Sequence, residues 1–111
     1  MAVTVLAVQP ILRSGLTPVF TAANVDGHYV SNDGKTFFEV KNTNAAPITV
    51  TIATPQTVDG LAVTDRTVTV AATTGDKMIG PFTMDYNQTD SSNLLVTFSA
   101  VTDVTCAAFR V

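Results

Sequence analysis

The 111-residue sequence holds one imidazole, His28, and one thiol, Cys106. No serine or cysteine nucleophile is tied to His28 by a local motif, and Gly-x-Ser-x-Gly is absent. Triad members lie far apart in many chains, so spacing alone does not close that route; the expectation is a loop histidine and a protein that is not an enzyme. Cys106 has no second cysteine to pair with, and its Val and Ala neighbours suggest a buried, inert thiol, because reactivity needs an electropositive, partly exposed setting. Asp26, Asp33, Asp59 and Asp65 are the acids to test as Ca²⁺ ligands. No Asp-x-Asp-x-Asp-Gly loop is present, and most of the four stand beside glycine as turn formers do. Zinc spacing and phosphate-binding glycine loops are missing too, so no metal, cofactor or catalytic residue is expected. Tyr29 and Tyr86 are the aromatic residues with the amphipathic character a sugar platform needs, and both fall in expected loops. Asn87-Gln88-Thr89 matches a glycosylation acceptor and is read as coincidence without a signal peptide.

The elements that would position these residues are strands. Sixteen valines and nineteen threonines load the chain with β-branched side chains, which stiffen χ1 and suit a pleated sheet. One domain is expected, long enough to bury a core without a metal or disulfide. Charged residues make up 14% and the net charge is −3, so there is no electropositive field to neutralise phosphates and no nucleic-acid partner is expected. The apolar start lacks a basic segment and is broken at Gln9 and Pro10, short of the roughly 20 residues a membrane helix needs. No membrane partner is expected, and the protein should be made and kept in a cytosol-like compartment.

Thr36, Phe38 and Val40 share one parity and Phe37, Glu39 and Lys41 the other, while Ile48, Val50 and Ile52 alternate with Thr49 and Thr51. This period of two predicts two half-buried strands, and the polar connector Asn42 to Pro47 predicts that they pair antiparallel. Further strands are expected at Leu16 to Thr21, Leu61 to Val63, Arg66 to Ala71, Lys77 to Phe82, Asn93 to Ser99 and Val104 to Val111. Ala22 to Asp33 is expected as a loop, with tight turns at Asp33-Gly34 and Asp59-Gly60 and a helical turn around Met84 to Asn87. The fold class is therefore all-β: a single antiparallel β-sandwich or jelly-roll-like domain of about 7–8 short strands over residues 16–111.

Residues 1–15 differ from that body. They read as an extended N-terminal arm, or else as a first edge strand. Val3, Val5, Leu6, Val8, Ile11, Leu12 and Arg13 are the residues expected to contact a shell or a neighbouring subunit, because an apolar extended segment can add to another chain as a strand.

Asp33-Gly34-Lys35-Thr36-Phe37, Val40-Lys41-Asn42, Thr49-Val50-Thr51, Thr54-Pro55 with Val58-Asp59-Gly60-Leu61, the Asp65 to Val70 strand and Ile79-Gly80-Pro81-Phe82 resemble, in that order, head decoration (auxiliary capsid) proteins of tailed bacteriophages and prophages. The resemblance covers residues 33–111 and consists of turns and strands. It implies a β-rich knob, often a homotrimer, made in the bacterial host cytoplasm. Such a knob sits on the outer capsid surface and cements neighbouring capsomers through the major capsid protein. The alternatives are another virion sandwich of the neck, tail or fibre, and a carbohydrate-binding module.

Overall fold

The computed structural model describes residues 3–88 and 93–110 and is built from strands. In chain order these are β1 (Thr4–Val5), β2 (Val8–Pro10), β3 (Thr21–Ala22), β4 (His28–Ser31), β5 (Thr36–Asn42), β6 (Ile48–Ile52), β7 (Thr57–Val58), β8 (Leu61–Ala62), β9 (Arg66–Val70), β10 (Gly75–Ile79), β11 (Asn93–Phe98) and β12 (Val104–Arg110). One 3-10 turn, Met84–Tyr86, precedes β11. No helix among the described residues is long and apolar enough to cross a membrane.

The first sheet runs β1-β4-β11-β6-β9 and the second β10-β5-β12-β2, with β3 also on β12. From β4 to β11 the pairing is nested. The outermost strands pair (β4 with β11), then β5 with β10, β6 with β9 and β7 with β8, all antiparallel. This is jelly-roll connectivity, a long hairpin wrapped so that its strands divide between two facing sheets. β12 then adds to the free side of β5.

Alternation places the core. Val30, Leu94, Val96, Ile48, Val50, Ile52 and Val70 from the first sheet meet Phe38, Val40, Ile79, Val104, Cys106 and Ala108 from the second, all buried. Each fully buried aliphatic or Phe side chain of this kind contributes about 1.5–3 kcal/mol over an exposed one.

The expected β5–β6 hairpin does not form, because the two strands lie in opposite sheets. Period-two patterning fixes which face of a strand is buried, not which strand lies beside it. The side chain of Asn42, fully buried, makes the corner: its Nδ2 donates to Ala46 O (2.9 Å) and Ala71 O (3.2 Å), and its Oδ1 accepts from Asn44 N–H (3.0 Å). Asn44 Oδ1 in turn accepts from Ala46 N–H. These local bonds satisfy the backbone while it steps between sheets. Residues 22–33, expected as a loop, contain β4, whose His28 and Val30 point inward. The expected strand over Leu16 to Thr21 shrinks to β3, since Pro18 lacks an N–H and the preceding residues lie over the outer face of the second sheet.

The N-terminal segment is zippered to both sheets. β1 runs parallel to β4, and β2 runs parallel to the last residues of β12. These are the two parallel pairs in an otherwise antiparallel sandwich. Between them Leu6 turns inward, 6% exposed, and its N–H donates to Tyr29 O at 2.9 Å.

Candidate functional site

The seven N-terminal residues expected to make contacts are divided by the structure. Leu6 belongs to the core, Val8 packs half-buried against it, and Val3 is half-buried. Val5 lies 77% exposed on the outer margin of the first sheet. Ile11 and Leu12 are each 50% exposed, and Arg13 is exposed beside them. Ile11 is anchored by its N–H to Arg110 O (3.0 Å), and the following loop is closed by Gln9, whose side-chain amide exchanges two hydrogen bonds with the Val19 backbone.

That loop covers the outer face of the second sheet. Ala107, on the outward parity of β12, is fully buried as a result. Phe109 packs against Phe37 (5.6 Å between centroids) and edge-on against Phe20 (6.5 Å), and Lys41 Nζ sits 4.3 Å from the Phe20 ring centre. Ile11, Leu12, Leu16, Pro18, Phe37 and Met78 line an open apolar depression of about 290 Å³, with Glu39 at its floor. Burial, then the adjoining Asp76 carboxylate, push the Glu39 carboxyl above its ordinary range, with Lys41 opposing. Alternation alone does not reveal this aromatic cluster, although the sequence carries one signal: Phe37 is a large apolar residue on the parity it shares with Glu39 and Lys41. At the edge of the sheet, Lys77 occupies the inward parity of β10 between Gly75 and Ile79, a charge that blunts strand addition there.

A second apolar feature lies on the β7–β8 hairpin. β7 and β8 pair only with each other through the Asp59-Gly60 turn, both residues at positive φ as a tight hairpin requires. Val58 and Leu61 are register partners and therefore share one face, 67% and 70% exposed.

The remaining candidates resolve into structural roles. His28 is 2% exposed on β4 rather than in a loop. Its Nε2 accepts from Asn24 N–H (3.1 Å), which places the ring proton on Nδ1, donating to Thr4 Oγ1 (3.1 Å). Both nitrogens are thus occupied, Nδ1 in pinning β1 to β4 and Nε2 in holding the loop before β4, and burial holds the imidazole pKa below its ordinary value despite the opposing Thr4 contact. Cys106 is buried, and burial pushes its thiol up to about 11. Asp33 Oδ1 accepts from Lys35 N–H and Asp65 Oδ1 from Thr54 N–H, both backbone-shaping bonds. No cluster of three or more His, Cys, Asp or Glu occurs among the described residues.

Tyr29 and Tyr86 occupy different surroundings. Tyr29 is half-buried in β4, in register with Val5 and Leu95. Tyr86 packs edge-on against Phe82 (5.2 Å), and its hydroxyl accepts from Arg66 Nε (2.9 Å) in a cleft shared with Pro81 and Thr83. They do not form one sugar platform. The Asn87 amide is tied to Asn32 by two hydrogen bonds; Thr89, the last residue of the acceptor pattern, lies outside the described residues. The arrangement therefore offers apolar and aromatic contact surfaces on a rigid β body. Comparison with protein-family models, curated proteins and solved structures finds no match for this chain.

Proposed function

We propose that this protein is a structural virion component that decorates and cements the capsid shell of a tailed bacteriophage, binding the major capsid protein at capsomer junctions on the outer surface. The observation that carries the reading is the apolar side chains left outside the core of a sparsely charged sandwich: Val5, Ile11, Leu12 and Met78 are 50–77% exposed. Solvent-facing aliphatic groups held on paired strands, as Val5 and Met78 are, or directly beside one, as Ile11 and Leu12 are, suit contact with other protein. The ordered run of turns and strands from Asp33 to Phe82 supports the choice of a shell as that protein. Jelly-roll connectivity is compatible with it, being used by capsid and lectin domains alike, but selects no function by itself.

The mechanism is multivalent. Several copies held together, three in the favoured arrangement, convert weak single contacts into avid attachment by raising effective concentration. Because they bind only the assembled shell, they stabilise it by mass action. Val5 is the N-terminal residue best placed to meet the shell, since its removal from water costs no core contact.

The test is cryo-EM of undecorated shells mixed with the purified protein. Added density at capsomer junctions and a higher melting temperature of the shell are expected, with both reduced for Val5→Asp. Bare shells at saturating protein would refute the reading.

A further inference from the structure

The edges of the two sheets are not equally protected. β1 and β3 are each two residues long, β2 ends on Pro10, and β10 carries Lys77 on its inward parity, all features that blunt strand addition. β9, at the edge of the first sheet opposite β1, has five residues and, from Thr67 to Val70, no proline, glycine or charge. Its neighbours fix which of its backbone groups face outward. Ser99 N–H donates to Thr49 O (2.9 Å) and Ala53 N–H to Leu95 O (3.0 Å), so Thr49, Thr51 and Ala53 turn their backbone groups toward β11. Ile48, Val50 and Ile52 turn theirs toward β9, where their register partners are Val70, Val68 and Arg66. Thr67 and Thr69 therefore point N–H and C=O away from the sheet, and no strand among the described residues pairs with them on that side.

We propose that β9 of one copy pairs antiparallel with β9 of a second copy about a twofold axis at Val68, joining their first sheets edge to edge. In that register Thr67 and Thr69 of each copy exchange N–H···O bonds with Thr69 and Thr67 of the other, so every outward backbone group of the edge is paired. The side chains fit the same register. Exposed threonine meets threonine on the outer face, and Val68, half-buried against the core, meets Val68 on the inner one. Arg66, whose Nε is held on the Tyr86 hydroxyl (2.9 Å), falls opposite Val70, so no like charges stand opposite each other along the seam. This self-complementarity selects a second copy as the occupant: around Val68 the edge reads Thr-Val-Thr in either direction, as a twofold contact of one surface with itself requires. The contact does not depend on the shell reading. It lies across the first sheet from β1 and Val5, and a dimer that ignores shells would overturn that reading and leave this one standing.

The experiment is analytical ultracentrifugation and light scattering on the full chain at low ionic strength, with thermal melts to check that each variant folds. The wild-type protein is expected to dimerise as its concentration rises. Two double variants at the exposed threonines, Thr67→Lys with Thr69→Lys and Thr67→Glu with Thr69→Glu, put like charges directly opposite each other across the seam. Each should weaken dimerisation by about tenfold or more. Mixed in equal amounts the two should pair, since lysine then faces glutamate in the register centred on Val68. Thr69→Pro removes an N–H that the fold itself leaves outward, so it should fold and stay monomeric. Three results overturn the proposal: a wild-type monomer at the highest soluble concentration, folded variants that associate like the wild type, or a lysine–glutamate mixture that stays monomeric.

Discussion

Replacing Leu6 by alanine tests whether the N-terminal segment is part of the folded body. Leu6 is 6% exposed and belongs to the continuous core, reached from β1 on one sheet and β2 on the other. Leu→Ala at a core position costs about 2–5 kcal/mol, and a site at the margin of a sandwich, where neighbours can close in, belongs to the lower part of that range, about 2–3 kcal/mol. Unfolding entropy of about 2.1 cal/mol/K per residue over this chain makes that a fall in Tm of about 9–13 °C. Val5→Ala is the control. It changes a side chain 77% exposed on the adjacent strand position and should move Tm by no more than about 2 °C. Thermal melts followed by circular dichroism, with urea midpoints at unchanged slope, are the assay. A Leu6→Ala shift no larger than that of Val5→Ala would mean that the segment is a free arm and that the pairing of β1 and β2 contributes nothing.

Three further outcomes follow from the same geometry. Asn42→Ala removes three hydrogen bonds at the corner between the sheets and should cost about 2–4 kcal/mol in urea unfolding; a loss under about 1 kcal/mol would show that water replaces the side chain there. Burial depresses the His28 pKa in the fold, so the unfolded chain takes up the proton first: stability is complete above about pH 6.5 and falls as the pH drops toward the folded pKa. His28→Gln should flatten that part of the Tm-against-pH curve, and parallel curves would contradict the assignment. Cys106, with its thiol pushed up to about 11, should resist a disulfide reagent at mildly alkaline pH until denaturant is added, and rapid labelling of the native protein would sink the buried-thiol reading.

Residues with a local cause were legible in the sequence, and residues placed by distant neighbours were not. The alternation of Thr36 to Asn42 and Ile48 to Ile52 reports burial directly, and it is met residue by residue in the structure. Asp59-Gly60 specifies its own hairpin. What alternation does not encode is partnership: β5 and β6 look like a hairpin because nothing in their side chains reveals that Asn42 will reach Ala71, 29 positions away. β4 was hidden for a related reason. His28 and Asn32 are polar residues whose burial is compensated by Thr4, Asn24, Thr83 and Asn87, all remote except Asn24. The candidate surface was half-legible. Ile11 and Leu12 stand out as apolar residues outside the body pattern, but their meeting with Phe37 and Met78 depends on a loop folding over a sheet face that also carries Glu39 and Lys41.

The way the N-terminal segment is held bears on what it can do for any partner. A free arm that orders on binding gives up conformational entropy, about 1–2 kcal/mol for each backbone residue fixed, and its contacts must first offset that loss. Here β1 and β2 fix the backbone before any partner arrives, with Leu6 in the core and Ile11 bonded to Arg110. Val5, Ile11 and Leu12 are consequently presented from a rigid frame, and a surface that meets them recovers the gain of apolar burial with little ordering cost. Such preorganisation favours many modest, repeatable contacts over one adaptive grip. A protein surface that repeats one site offers contacts of that kind.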